Sequence, residues 1–209
     1  MRYDDRRDAG RRLADALLRY AGEAAVVLAL PRGGVVLGAE VARALGAPLD
    51  LVIPRKVGHP DFPEYGIAAV TETGDVVANE AEVARVDPAW FARAVADERE
   101  EAARRRRRYL GDRPSAALAG KTAIVVDDGV ATGLTMLAAL REVRGRGAAR
   151  VVAAVPVAPS DTVARLRREA DEVIALQAPT EFAGAVGAYY RRFDQVSDAE
   201  VVAVLREAA

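Results

Sequence analysis

A chain of 209 residues, 51% hydrophobic and 29% charged with a formal net charge of −1, suits one domain with a sizeable core and has no global field to draw nucleic acid or a membrane surface. It has no cysteine and a single histidine, His59, which excludes disulfides, thiolate chemistry and Cys- or His-built metal centres; no Gly-x-Ser-x-Gly elbow accompanies that histidine, as a serine triad would need. The N-terminus, rich in aspartate and arginine, lacks an apolar signal core, and no stretch approaches the ~18 apolar residues of a membrane span, so a cytoplasmic protein is expected.

In chain order, residues 6–20 place Ala9, Leu13, Leu17 and Tyr20 on one helical face. An apolar strand at 24–30 ends in the turn Pro31, Arg32, Gly33, Gly34, and a helix at 35–45 stops at Gly46. After a strand at 49–53 comes Pro54, then Arg55 and Lys56, then a Gly/Pro-rich run to Gly66 that rules out helix and predicts a mobile loop. Strands at 67–71 and 76–78 around Thr73, Gly74 and Asp75 read as a hairpin. Asp87 as N-cap and Pro88 as first residue open a long helix that Gly111 closes, with Glu100–Arg104 and Glu101–Arg105 as i,i+4 pairs. The arginine run 104–108 reads as the solvated end of that helix, because consecutive residues spread around it.

Further on, an apolar strand at 123–126 leads into a helix with Met136, Leu140 and Val143 inward, and another near-continuous strand occupies 150–157. Ser160 or Asp161 is expected to cap a helix reaching Glu169, followed by a strand at 173–176. Phe182, Tyr189, Tyr190 and Phe193 then concentrate aromatic side chains in a chain only 5% aromatic. Ser197 with Glu200 predicts a capping box for the last helix, with Val201, Val204 and Leu205 inward. Strands alternating with helices, and glycine loops at strand ends, predict an α/β fold with a doubly wound, mostly parallel sheet flanked by helices.

The stretch Ile124 to Met136 carries the most chemistry. Ligands of open α/β sheets bind beyond the carboxyl ends of the strands, and here a strand meets Asp127, Asp128, Gly129, Val130, Ala131, Thr132, Gly133 and Thr135 before a helix starts. The glycines allow close approach, the helix N-terminus offers N–H groups and a positive dipole end, and the threonines add hydroxyls, a combination that suits a phosphate. Asp127 and Asp128 would repel a phosphate placed on them and suit a polyol or a ligand-bound metal. A sugar phosphate satisfies both halves. No lysine of a P-loop and no Gly-x-Gly-x-x-Gly of a Rossmann turn is present.

Four apolar residues, two acids and a small-residue loop ending Ala131, Thr132, Gly133, Leu134, Thr135 resemble the phosphoribosyl pyrophosphate (PRPP) signature of the type I phosphoribosyltransferases. The resemblance spans roughly residues 26–157. It implies one phosphoribosyltransferase-like domain over 1–209, with a core at about 24–176 and a small hood from about 1–20 and 177–209. It also implies displacement of pyrophosphate from PRPP by a small nitrogenous base or amine, with Mg²⁺ as cofactor. Asp127 and Asp128 would hold the ribose hydroxyls, reach the metal through PRPP and water, and counter the ring cation. Gly129, Val130, Ala131, Thr132, Gly133 and Thr135 would hold the 5′-phosphate. Arg32, Gly33 and Gly34 would form the pyrophosphate loop, joined by Arg55 and Lys56 from a closing loop. The resemblance admits a homodimer and gives no reason to expect a nucleic-acid or membrane partner. Ala131 stands where hypoxanthine-guanine members carry an aspartate that assists proton transfer, which argues against those two bases. A PRPP-sensing regulator on the same fold is the alternative, and a hydrolase or phosphorylase of ribose phosphates a third reading.

Overall fold

Three of the apolar runs become strands with almost every residue buried: β1 (Ala25–Ala29), β6 (Thr122–Val126) and β7 (Arg150–Val157). Strands without a polar face need cover on both sides, which a parallel sheet with crossover helices provides. In the computed structural model, which describes residues 2–74 and 76–208, these strands join β2 (Leu49–Leu51) and β8 (Glu172–Gln177) in a five-stranded parallel sheet of order β2-β1-β6-β7-β8. The expected doubly wound sheet is present.

Side chains alternate between its faces. Val27, Ala29, Ile124, Val126 and Val152 pack against α1 (Arg6–Leu17) and α2 (Gly33–Leu45), while Val26, Leu28, Val125 and Val151 meet Met136 and Leu140 of α5 (Leu134–Gly145). Ala9, Leu13, Leu17 and Tyr20 are all buried, as their spacing requires, although the α-helix ends at Leu17 and a 3₁₀ turn continues to Tyr20. β1 has β2 on one side and β6 on the other, so the chain reverses direction across the sheet between β1 and β6. That switch point opens a crevice at their carboxyl ends.

The run after Pro54 is more ordered than expected. Arg55–Gly58 forms β3, which pairs antiparallel with β4 (Gly66–Val70), and β4 pairs antiparallel with β5 (Val77–Ala78) in a separate three-stranded sheet. Val57 supplies the reason: it is buried with Ala68, Val70 and Val95, a hydrophobic anchor that the surrounding prolines and glycines obscured. Only residues 59–65 remain irregular, as a hairpin tip exposing Phe62 and Tyr65. The β4–β5 hairpin is as expected, but Asp75 of its turn lies outside the described residues.

A short helix not foreseen, α3 (Glu80–Val83), precedes α4 (Pro88–Leu110). The Asp87 carboxylate caps α4 by accepting from the Trp90 N–H at 2.7 Å, and Gly111 closes it with φ 58°. Glu101 pairs with Arg105 as expected and also takes Arg104, in place of the Glu100–Arg104 pair. α6 (Ser160–Leu166) is shorter than expected and starts behind Pro159, so neither Ser160 nor Asp161 is its cap. α7 (Asp198–Glu207) has the Ser197/Glu200 capping box, with Val201 and Leu205 buried. No helix among the described residues is long and apolar enough to cross a membrane.

The arginine run of α4 is not wholly solvated. Arg106 turns inward and places Nη2 3.2 Å from Oδ1 of Asp50, which is 0% exposed, while Nη1 donates to the Leu51 carbonyl at 3.1 Å. Asp50 also accepts from the Ala116 N–H at 2.7 Å. A buried carboxylate satisfied this way is expensive to break, since removing it leaves Arg106 uncompensated. Asp50→Ala is therefore expected to lower the unfolding free energy by about 3–5 kcal/mol in urea titrations. A loss below about 1 kcal/mol would mean that the pair behaves as a surface contact.

Candidate active site

Two loops meet at the crevice. The first leaves β1: the Leu30 N–H still bonds the Val126 carbonyl at 2.9 Å, the Pro31–Arg32 peptide is cis, and α2 begins at Gly33. The second leaves β6 and contains the acid pair. The loops touch. A Cβ on Gly33 would overlap Oδ2 of Asp128 and come within 2.8 Å of Nε of Arg6, and one on Gly34 would stand 2.8 Å from the Val126 carbonyl. Both glycines are thus set by packing against the acids, and any side chain here would push the first loop off the second.

The acids differ. The Asp127 carboxylate accepts from the Asp128 N–H at 2.8 Å. Burial, then the adjacent Asp128 charge, lifts its pKa well above the usual carboxylate range. Burial also raises Asp128, but Arg6 counters it, with Nε 2.7 Å from Oδ2. The Asp128 carbonyl accepts from the Tyr190 hydroxyl at 2.5 Å.

The remainder of the second loop runs over Gly129 to Gly133. Gly129 lies so close to Val186 that a Cβ would overlap it. Val130 is buried and its N–H bonds the Val157 carbonyl at 2.9 Å. The carbonyls of Ala131 and Thr132 are occupied by Oγ1 of Thr162 at 2.8 Å and Nη1 of Arg165 at 3.1 Å. Those two contacts tie the loop to α6. Gly133, at φ 86°, is the N-cap of α5 and supplies no side-chain cap of its own. The first-turn N–H groups of α5, next to Thr135, therefore look for an acceptor in the crevice.

Not every predicted residue lies here. Nη1 of Arg32 is 3.8 Å from Oδ1 of Asp198, at the start of α7. On β3, Arg55 reaches Oε2 of Glu98 at 2.7 Å and Nζ of Lys56 donates to the Glu64 carbonyl at 2.7 Å. Arg6, Tyr190, Thr162 and Arg165 went unnoticed as site residues. Tyr190 stands out in sequence only as one of the clustered aromatics, and nothing in the local patterns of Arg6, Thr162 and Arg165 distinguishes them.

Among the described residues no group of three or more His, Asp or Glu side chains could cage a metal. Two carboxylates, one already shared with Arg6, fit instead an ion carried in on a ligand's phosphates.

The phosphoribosyl transferase domain family model matches residues 3–191. The chain belongs to the phosphoribosyltransferase family. It is 47% identical over 209 residues to proteins provisionally named phosphoribosyl transferase in Mycobacterium tuberculosis strains CDC 1551 and H37Rv, covering 99% of this chain and 47% of each relative. The chain thus spans about half the length of those relatives. It also resembles the crystal structure of TT1426 from Thermus thermophilus, with 49% identity, a TM-score of 0.84 and full coverage of both chains. The family suggested by the acid pair and its loop is the one found.

The elevated pKa of Asp127 has a consequence for this phosphoribosyltransferase domain that can be measured without ligand. A carboxyl that holds its proton more tightly folded than unfolded contributes stability that is complete below the ordinary carboxylate range and is lost as pH rises through the folded value. Asp127→Asn mimics the protonated group. It is expected to match the parent protein in unfolding free energy near about pH 3 and to exceed it at about pH 7, by denaturant titration. An equal effect at both pH values would show that Asp127 is not the strained charge.

Proposed function

We propose that this domain transfers the 5-phosphoribosyl group of PRPP to a nitrogen of a small base or amine and releases pyrophosphate. The observation that carries this reading is the contact of the Gly33–Gly34 turn with Asp127 and Asp128 at the sheet's switch point, beside a glycine loop that opens a helix. One ligand would have to offer a diphosphate to the first loop, hydroxyls to the acids and a phosphate to the second. PRPP has that order of groups.

In the reaction the C1–O bond to pyrophosphate breaks as a C1–N bond forms, the C1–O electron pair leaves with the pyrophosphate, the ribose ring carries positive charge in the transition state, and a proton carried by the attacking nitrogen passes to water. Asp127 and Asp128 would stabilise that charge and accept hydrogen bonds from the ribose hydroxyls. The N–H groups of Gly33 and Gly34 would receive the departing diphosphate, with Arg32 released from its long contact to Asp198. The loop from Gly129 to Gly133, with Thr132 and Thr135, would hold the 5′-phosphate. Mg²⁺, carried on the phosphates within reach of Asp127 and Asp128, would neutralise the leaving group. The stacked rings of Phe182 and Tyr189, centroids 5.3 Å apart, are candidates to cover the acceptor in a hood built from both termini. Arg55 and Lys56 would join if the β3–β4 hairpin closes over the crevice and exchanges Glu98 and Glu64 for phosphate.

The regulator alternative would use a continuous basic surface on α4. Arg104 and Arg105 share Glu101, Arg106 takes the buried Asp50 and Arg108 takes Asp198, so each is already paired with an acid of the same domain, which favours the enzyme reading.

Calorimetry with PRPP is expected to show binding that depends on Mg²⁺ and is lost or much weakened in Asp128→Asn. Equal affinity in the presence of chelator, or no binding at all, would sink the PRPP assignment. A second outcome concerns the acceptor. The methyl group of Ala131 can neither accept nor donate a proton, and acid-base help is typically worth 10²- to 10⁴-fold. Hypoxanthine and guanine are therefore expected to be poor acceptors in a pyrophosphate-release assay over a panel of bases and amines. Efficient formation of inosine or guanosine monophosphate would show that another residue supplies the proton transfer.

A further inference from the structure

Arg6 lies outside every motif of the chain yet touches its central acid. Its Nε donates to Oδ2 of Asp128 at 2.7 Å, and its Nη1 donates to the Asp194 carbonyl at 2.6 Å. Its guanidinium carbon sits 3.8 Å from the centroid of the Phe193 ring. The side chain is only 12% exposed, and the missing Cβ of Gly33 makes room for its Nε. A guanidinium fixed by a carboxylate, a carbonyl and an aromatic face is built into the site, in contrast to the exposed surface arginines such as Arg7 and Arg43.

Resting on the reading of the site as a PRPP cradle, we propose that Arg6 is a positioning residue: it commits Oδ2 of Asp128 and leaves Oδ1 aimed at the ribose hydroxyls. Without that partner, Asp128 would be a carboxylate next to the like-charged Asp127 in a partly dehydrated crevice, free to turn away from it. The Asp194 carbonyl and Phe193 hold Arg6 from behind, so the aim of Asp128 is set by the segment that follows Tyr190. Arg6 acts through Asp128 and is not expected to touch the reacting atoms.

The alternative for the same contact is a plug, in which Arg6 occupies the ligand's place on Asp128 and must leave. The two readings predict opposite signs. Arg6→Met keeps the apolar packing over Phe193 and removes the charge, whereas Arg6→Lys restores a charge without the fork. PRPP·Mg²⁺ titrated into the parent domain and both variants should show affinity falling by about 10- to 100-fold in Arg6→Met, with substantial recovery in Arg6→Lys. Unchanged or tighter binding by Arg6→Met would overturn the proposal, as would equal losses in the two variants. A crystal structure of ligand-free Arg6→Met adds a readout that does not need PRPP. The Asp128 carboxylate should leave its place over Gly33 there and keep it in Arg6→Lys; a carboxylate that stays put in Arg6→Met would overturn the positioning role. Failure of the parent domain itself to bind PRPP would remove the ligand assignment, while the position of Asp128 would still decide what Arg6 does.

Discussion

Two consecutive carboxylates held largely out of water at the end of a buried strand are the constraint around which this domain is arranged. Alone they would repel each other and seek solvent. Asp127 is satisfied locally by the Asp128 N–H, and Asp128 by a guanidinium that arrives from the far end of the chain. The demand for glycine at 33 and 34 follows from the same pair, because the neighbouring loop must lie against it with no side chain between. The crevice needs the sheet's switch point, and the switch point needs β1 and β6 side by side, buried on both faces.

How far this could be read from sequence depended on whether the information was contiguous. The β6 strand, its acids and its glycine loop occupy adjacent positions, so the strand, the turn into α5 and the family resemblance are all legible there. The same holds for α4, whose cap at Asp87 and stop at Gly111 are local signals. Arg6 was invisible because its partner is 122 residues away and its helix pattern is satisfied by Ala9, Leu13 and Leu17 without reference to any site. In sequence β3 reads as loop because Pro54, Pro60 and Pro63 bracket it, and one buried residue, Val57, is too little signal to outweigh them. Arg106 was hidden among four identical neighbours, and only the fold reveals which of the five meets Asp50.

The arginines show how one residue type serves three purposes. Arg106 neutralises a carboxylate inside the molecule, Arg6 one at the edge of the crevice, and Arg104 or Arg108 one at the surface. Breaking the first exposes a buried charge and threatens folding, whereas exposed pairs contribute little. Arg6 lies between these limits, as a residue tied to a site does.

The termini are where the fold's architecture and the site's chemistry meet. The Tyr3 N–H bonds the Tyr189 carbonyl and the Arg191 N–H bonds the Tyr3 carbonyl, each at 2.8 Å, so the first and last segments form a short parallel bridge above the sheet. Tyr190 of this bridge and Arg6, which opens α1 just after it, end on the same residue: Arg6 takes the Asp128 carboxylate and Tyr190 its carbonyl. Tyr3 and Tyr190 pack ring against ring at 5.3 Å, and Tyr190 meets Phe193 at 4.8 Å. The aromatic cluster therefore links chain segments that lie far apart in sequence. It joins the two ends of the chain into one unit whose polar tips end on the second acid, so order in the terminal segments and the orientation of Asp128 are one structural condition.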